Sequence, residues 1–167
     1  MTFDKEAYEE QVINDMRAHG GAISTGPMAG VRLLVLTTTG ARTGRPRRTL
    51  LFVSRDGGDY VVAGTASGST KDPAWHHNHV ANPTASIEVD ATQSQATATI
   101  TEGSERDRLW QQHLQAAPGL AAHAEQAGRT IPMVRLTPGC ARVAGSANRF
   151  VEGLYKRAPR RRPSYLT

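Results

Sequence analysis

The stretch that most limits how this chain can fold runs from Arg32 to Arg48, reading RLLVLTTTGARTGRPRR. Its apolar half, residues 32–38, suits a buried strand, and its threonines lead into a turn with glycines at 40 and 44. Arg42, Arg45, Arg47 and Arg48 then fall within seven residues. A cationic turn at the end of a buried strand can hold a long, multiply charged anion, because backbone N–H groups and guanidinium forks both meet it.

The rest of the chain reads as short strands punctuated by turns. Residues 4–18 form an amphipathic helix with Tyr8, Val12, Ile13 and Met16 spaced by three and four, stopped by Gly20-Gly21. Residues 49–54 and 60–65 flank Asp56-Gly57-Gly58 and read as a hairpin. A short helix over 73–81 opens at Asp72-Pro73, a favoured cap followed by a favoured first residue, and Asn82-Pro83 stops it. Strands at 84–90 and 95–101 surround a polar turn, Ala91 to Ser94. Ser104 caps a helix over 105–116 with Leu109, Trp110 and Leu114 on one face, and an alanine-rich helix follows to about 127. A final strand, 131–136, precedes Pro138-Gly139, and the pattern over 140–155 fits neither helix nor strand.

Hairpin-joined strands with helices at the start and late in the chain predict a mainly β fold with helices (α+β), an antiparallel barrel with helical decoration. A doubly wound sheet needs repeated strand-helix-strand alternation, which is missing. Neither GxGxxG after the first strand nor GxxxxGK[ST] occurs, so the two commonest nucleotide fingerprints are missing too.

A length of 167 residues suits one domain. The expected organisation is an N-terminal helix and loop over 1–30, a cofactor-binding barrel over 31–138 and a basic extension over 139–167. No apolar run approaches the ~20 residues that span a bilayer, and the acidic start MTFDKEAYEE shows no secretory signal. The lone Cys140 cannot form an internal disulfide, and with no histidine near it in sequence it is not expected to be a catalytic thiol. A cytoplasmic location is expected. Much of the net charge of +5 lies after residue 155, in KRAPRRRPSYLT. That composition is typical of a solvated end, and its charge suits an anionic membrane surface, placing the protein at the inner membrane face. Without an array of base-stacking aromatics, nucleic acid is not an expected partner.

Four segments in order resemble the deazaflavin-dependent nitroreductase family, whose members use coenzyme F420 and include F420H2-dependent quinone reductases. They are LLVLTTTGARTGRPR at 33–47, RDGGDYVVAGT at 55–65, KDPAWHHNHVANP at 71–83 and GRTIPMVRLTP at 128–138. The resemblance covers about 31–138 and implies a split antiparallel β-barrel of the FMN-binding kind, in agreement with the hairpin pattern. It also implies a deazaflavin cofactor with a phosphate and an oligoglutamate tail. By position, Ala41, Arg42 and Thr43 would lie along the phosphate and tail. Arg47, Arg48, Thr49, Leu50, Leu51 and Phe52 would run beside the cofactor, with Arg47 the second main anion contact. Ala63, Gly64, Thr65 and Ala66 would border the ring, and Ala74, Trp75, His76, His77 and Asn78 would close around ring and tail. Lys71 adds charge nearby.

The substrate side departs from the family pattern. Ala66 stands where a well-known member has lysine, and His76 stands where tyrosine is frequent after the tryptophan. A tyrosine cluster over the substrate pocket is replaced by Ala117 to His123, with Leu120 and His123 as the candidate pocket residues. The resemblance thus implies hydride transfer from C5 of reduced F420 to an electron-poor acceptor: a quinone, an enone or a nitroaromatic. With the tyrosines missing, His76 and His123 are the candidate proton donors. A homodimer is the expected assembly for such barrels.

Other readings compete. FMN in place of F420 would leave the long basic turn larger than one phosphate needs. A non-catalytic F420 carrier would account for the rewritten pocket. A metal site at His76, His77 and His79 has helical spacing but no cysteine or carboxylate ligand within the segment, so no metal is expected. A Ser-His-Asp hydrolase lacks its GxSxG elbow.

Overall fold

The computed structural model describes residues 4–143. Seven strands form one antiparallel sheet: β1 (Leu33–Thr39), β2 (Pro46–Phe52), β3 (Ser54–Asp56), β4 (Asp59–Ala63), β5 (Thr84–Val89), β6 (Thr92–Ile100) and β7 (Met133–Val143). Four helices decorate it: α1 (Lys5–Ala18), α2 (Ala74–Ala81), α3 (Gly103–Ala116) and α4 (Leu120–Ala127). The spatial order is β2-β1-β5-β6-β7-β4-β3. The two end strands, β2 and β3, are separated in the chain by Val53 alone. The sheet therefore curls until its edges meet, giving the antiparallel barrel that the hairpin pattern predicts, in the split form that the family resemblance implies.

Alternation along β1 explains why its first four residues, Leu33 to Leu36, are all apolar. Successive side chains point to opposite faces, so Leu34 and Leu36 enter the sheet interior with Val62, Ile87, Val134 and Leu136. Leu33 and Val35 meet Ile13 and Met16 of α1 on the other face. Each such fully buried aliphatic side chain contributes about 1.5–3 kcal/mol. Likewise Val62 of β4 faces inward, while Val61 and Ala63 pack with Leu109, Ile131 and Met133 beneath α3 and α4. Helix α1 starts where Asp4 accepts a hydrogen bond from the Ala7 N–H at 3.0 Å. Its end is pinned by a two-pronged bond from Arg17 to the buried Glu88 of β5, at 2.7 and 2.8 Å.

Several expected boundaries move for physical reasons. The strand read at 49–54 begins earlier, because Gly40 N–H bonds Arg45 O at 2.8 Å and folds β2 back onto β1, with Thr38 opposite Arg47 and Leu33 opposite Phe52. The hairpin across Gly57-Gly58 instead joins β4 to the short β3. The turn read at 91–94 lies at Asp90-Ala91, both with positive φ (52° and 60°). Asp72 does not cap α2: its carboxylate accepts from Arg129 at 2.6 Å, and Pro73 takes the cap position. Helix α3 begins at Gly103, with no side-chain cap bond from Glu102 before it. The last strand does not stop before Pro138-Gly139, where the register against β6 shifts between Ser94 and Ala96 and β7 continues as a bulged strand. The basic tail and the segment after Val143 lie outside the described residues. No helix among the described residues is long and apolar enough to cross a membrane.

Candidate functional site

A groove of about 1240 Å³ opens between the β1–β2 hairpin, the end of β4 and helices α2, α3 and α4. Its mouth is the arginine turn. Gly44 adopts φ +66°, and its N–H bonds Gly40 O at 2.9 Å. A Cβ on Gly40 would meet Thr43 Oγ1 at 2.7 Å, so the turn closes tightly only around glycine. Helix α2 braces it: Asn78 Oδ1 accepts from the Ala41 N–H at 2.9 Å, and Asn78 Nδ2 donates to Thr38 Oγ1 at 2.9 Å. Arg48 is tied to Glu10 of α1 at 2.7 Å. Among the described residues the side chains of Arg42, Arg45 and Arg47 form no ion pair or hydrogen bond and stand exposed.

The far wall is a loop held from behind. Gly64 N–H bonds Pro132 O at 2.9 Å. Arg129 donates to Gly64 O at 2.9 Å, to Lys71 O and Ser69 O at 3.1 Å each, and to Asp72. This clamp carries Thr65, Ala66 and Ser67 to the groove, with Ala66 and Ser67 at positive φ (47° and 53°). Trp75, only 7% exposed, belongs to the sheet core and to the groove wall at once. Its ring meets His79 edge-on at 5.8 Å.

Of the residues singled out in the sequence, Ala41, Arg42, Thr43 and Arg47 through Phe52 all border the groove. So do Ala63, Thr65, Ala66, Ala74, Trp75, His77 and Asn78, together with Leu120 and His123 of α4. Gly64 and His76 stand outside that lining. A Cβ on Gly64 would meet Pro132 Cγ at 2.6 Å, so this glycine permits close packing behind the wall. His76 turns toward Asp72, with Nδ1 3.8 Å from its carboxylate. Burial lowers the His76 pKa, and Asp72 opposes that shift. Lys71 is exposed and contributes its carbonyl to the Arg129 clamp.

Sequence reasoning missed Lys5, Glu9, Met28 and above all His113, each of which lines the groove. His113 is completely buried, its Nδ1 2.7 Å from Ser54 Oγ and its ring edge-on to Phe52 at 5.1 Å. Burial pushes its pKa down to about 4. The available signal was its spacing of four from Leu109 on the buried face of α3.

The residues present fit an elongated anionic cofactor with a planar ring. Uncommitted guanidinium groups gather at the mouth, where phosphate and carboxylate oxygens can accept in pairs. The interior offers an aromatic wall and aliphatic side chains from β2, suited to a ring. A curled antiparallel barrel with such a groove defines a split-barrel reductase. The profile of the F420H(2)-dependent quinone reductase family matches residues 9–138, and the chain belongs to that family. It is an oxidoreductase family, and its cofactor is coenzyme F420. The F420H(2)-dependent quinone reductase of Mycobacterium tuberculosis is 36% identical over 107 residues, covering 62% of this chain and 72% of its own length. Among solved structures, an F420-H2 dependent reductase (FDR-A) superposes with a TM-score of 0.55 at 31% identity, over 62% of this chain and 92% of its own. Another, described as a domain-swapped dimer, gives a TM-score of 0.59 at 26% identity, over 80% and 99% of the two chains.

Proposed function

We propose that this protein reduces a quinone with reduced coenzyme F420, holding the cofactor tail at Arg42 and Arg47 and its ring between the Thr65 loop and Trp75. The observation that carries the reading is one continuous groove with an apolar interior next to α4 and, at its mouth, arginines that are unpaired among the described residues. Similarity to a mycobacterial quinone reductase supports the acceptor class. When bound, the reduced deazaflavin supplies a hydride, one hydrogen with two electrons, from C5 of its ring. A quinone that takes up this hydride and one proton becomes a hydroquinone. His123, in the groove lining, is the proton donor in this reading. His76 is the less favoured candidate because its imidazole lies outside the lining. Thr65 orients the ring edge, and the apolar walls keep water from the transferring hydride.

The test is to load the protein with reduced F420 and follow its oxidation against menadione, a cyclohexenone and a nitroimidazole. Turnover with menadione well above the other two is expected. Equal or greater turnover of the enone or nitroimidazole would move the acceptor class, and no oxidation with any of them would favour a carrier. The solved relative described as a domain-swapped dimer supports a homodimer here, which light scattering would detect. Peripheral membrane contact through residues 156–167 is tested by deleting them and measuring binding to anionic vesicles at low and moderate salt.

A further inference from the structure

Ser54 and His113 form a buried pair beside the groove. The imidazole occupies a helix face where leucine or phenylalanine would fill the same space without a polar atom. Its Nδ1 lies 2.7 Å from Ser54 Oγ, while Nε2 is buried with no hydrogen-bond partner among the described residues. Leaving a buried polar nitrogen unpaired costs the fold its desolvation penalty. The 2.7 Å contact fits either ring tautomer; in the one taken here, the Ser54 hydroxyl donates into the Nδ1 lone pair. The ring proton then sits on Nε2, and the unpartnered atom is an N–H donor. Burial keeps the ring neutral near pH 7, so this N–H can polarise an oxygen without giving up its proton.

Position along β2 separates this pair from the cationic mouth. Arg47 faces Thr38 and Phe52 faces Leu33, so His113 beside Phe52 lies five residues farther along the strand, about 17 Å at ~3.3 Å per residue. Leu120 and His123 line the same groove from α4.

We propose that His113 Nε2–H is the hydrogen-bond donor to the carbonyl oxygen of the electron acceptor, with Ser54 as the positioning residue that fixes its tautomer. The proposal rests on the quinone reductase reading. As the quinone takes up the hydride and its electron pair, negative charge grows on that oxygen, and the fixed N–H stabilises it. The completing proton arrives separately, and His113 keeps its own. A preorganised donor of this kind contributes roughly 10²–10³ in rate.

The experiment uses the full chain with 15N-labelled histidine, observed by NMR with oxidised F420 alone and then with menadione added, so that no turnover occurs. The His113 Nε2 resonance is expected to carry a proton throughout and to shift only on adding menadione. A shift on F420 alone means the donor serves the cofactor and overturns the proposal, as does no shift with either. Failure of F420 to bind the unmodified chain overturns the reductase reading and this proposal together. Ser54→Ala is expected to mix the two tautomers in the same spectra and lower kcat about tenfold. His113→Phe is expected to lower kcat about 100-fold with F420 affinity within twofold of wild type, and His113→Gln to recover part of the loss. Wild-type kcat for menadione in a folded His113→Phe variant would leave the pair a packing feature only.

Discussion

Asn78 accepts a hydrogen bond from the Ala41 backbone N–H at 2.9 Å, so one buried amide on α2 holds the tip of the arginine turn in place. Its other half donates to Thr38 Oγ1. Both bonds join segments about forty residues apart in sequence, and they set the distance between the cationic mouth and the aromatic wall. Replacing Asn78 by Ala is expected to destabilise the protein by about 1–3 kcal/mol, through unpaired buried groups, and to weaken F420 binding. Urea unfolding and fluorescence titration check the two effects separately.

Among the described residues the side chains of Arg42 and Arg47 have no competing partner, whereas Arg48 is held by Glu10. Arg42→Ala and Arg47→Ala are each expected to weaken F420 about tenfold, or about 1.4 kcal/mol, with a smaller loss for Arg48→Ala. The same two variants should flatten the dependence of affinity on salt, since their contribution is the one that ions screen.

Gly64 allows the groove wall to lie against Pro132 and Pro73. Gly64→Ala is expected to cost about 1–3 kcal/mol by overpacking and to displace Thr65 and Ala66. A fall in thermal midpoint together with weaker F420 binding is the expected pattern; an unchanged midpoint would mean that Pro132 yields without strain.

Two buried histidines make the fold sensitive to mild acid. Burial lowers His79 and His113 to about 4, against an unfolded value of about 6.5. Their contribution is complete above pH 6.5, declines as pH falls because the unfolded chain takes up protons first, and levels off below about 4. At pH 5 the loss is about 2 kcal/mol for each ring. Chemical denaturation at pH 7 and pH 5 measures it, and His79→Gln is expected to remove roughly half.

Local patterns in the chain announce much of this architecture. The three-and-four spacing of Ile13 and Met16 in α1, the apolar run that opens β1, and Gly57-Gly58 between β3 and β4 all act through neighbours a few residues away. The resemblance over residues 31–138 also points to the groove's cationic mouth and aromatic wall. What escaped detection depends on partners far along the chain. Asp72 looks like a helix cap until Arg129 takes its carboxylate. Pro138-Gly139 looks like a stop, yet a bulge against β6 lets the strand pass through. The Asp90-Ala91 turn holds two positive φ angles without glycine, so the polar pattern announces a turn but places it late, at 91–94. His113 becomes visible as part of the site only once Ser54, 59 residues away, is brought to its side.

An ordinary linker between two edge strands can lengthen without disturbing anything else. Here a single residue, Val53, joins the first and last members of the sheet. The circuit of strands is therefore completed by a covalent tie, with no slack, and the cleft beside it inherits its width from the whole ring. Prising the cleft open means bending the pairings of β1, β5, β6, β7 and β4 together. A molecule seated there acts as a wedge in a hoop, and its grip reaches the entire domain. Thermal resistance of the protein then doubles as a gauge of occupancy, rising with the logarithm of ligand concentration above the dissociation constant.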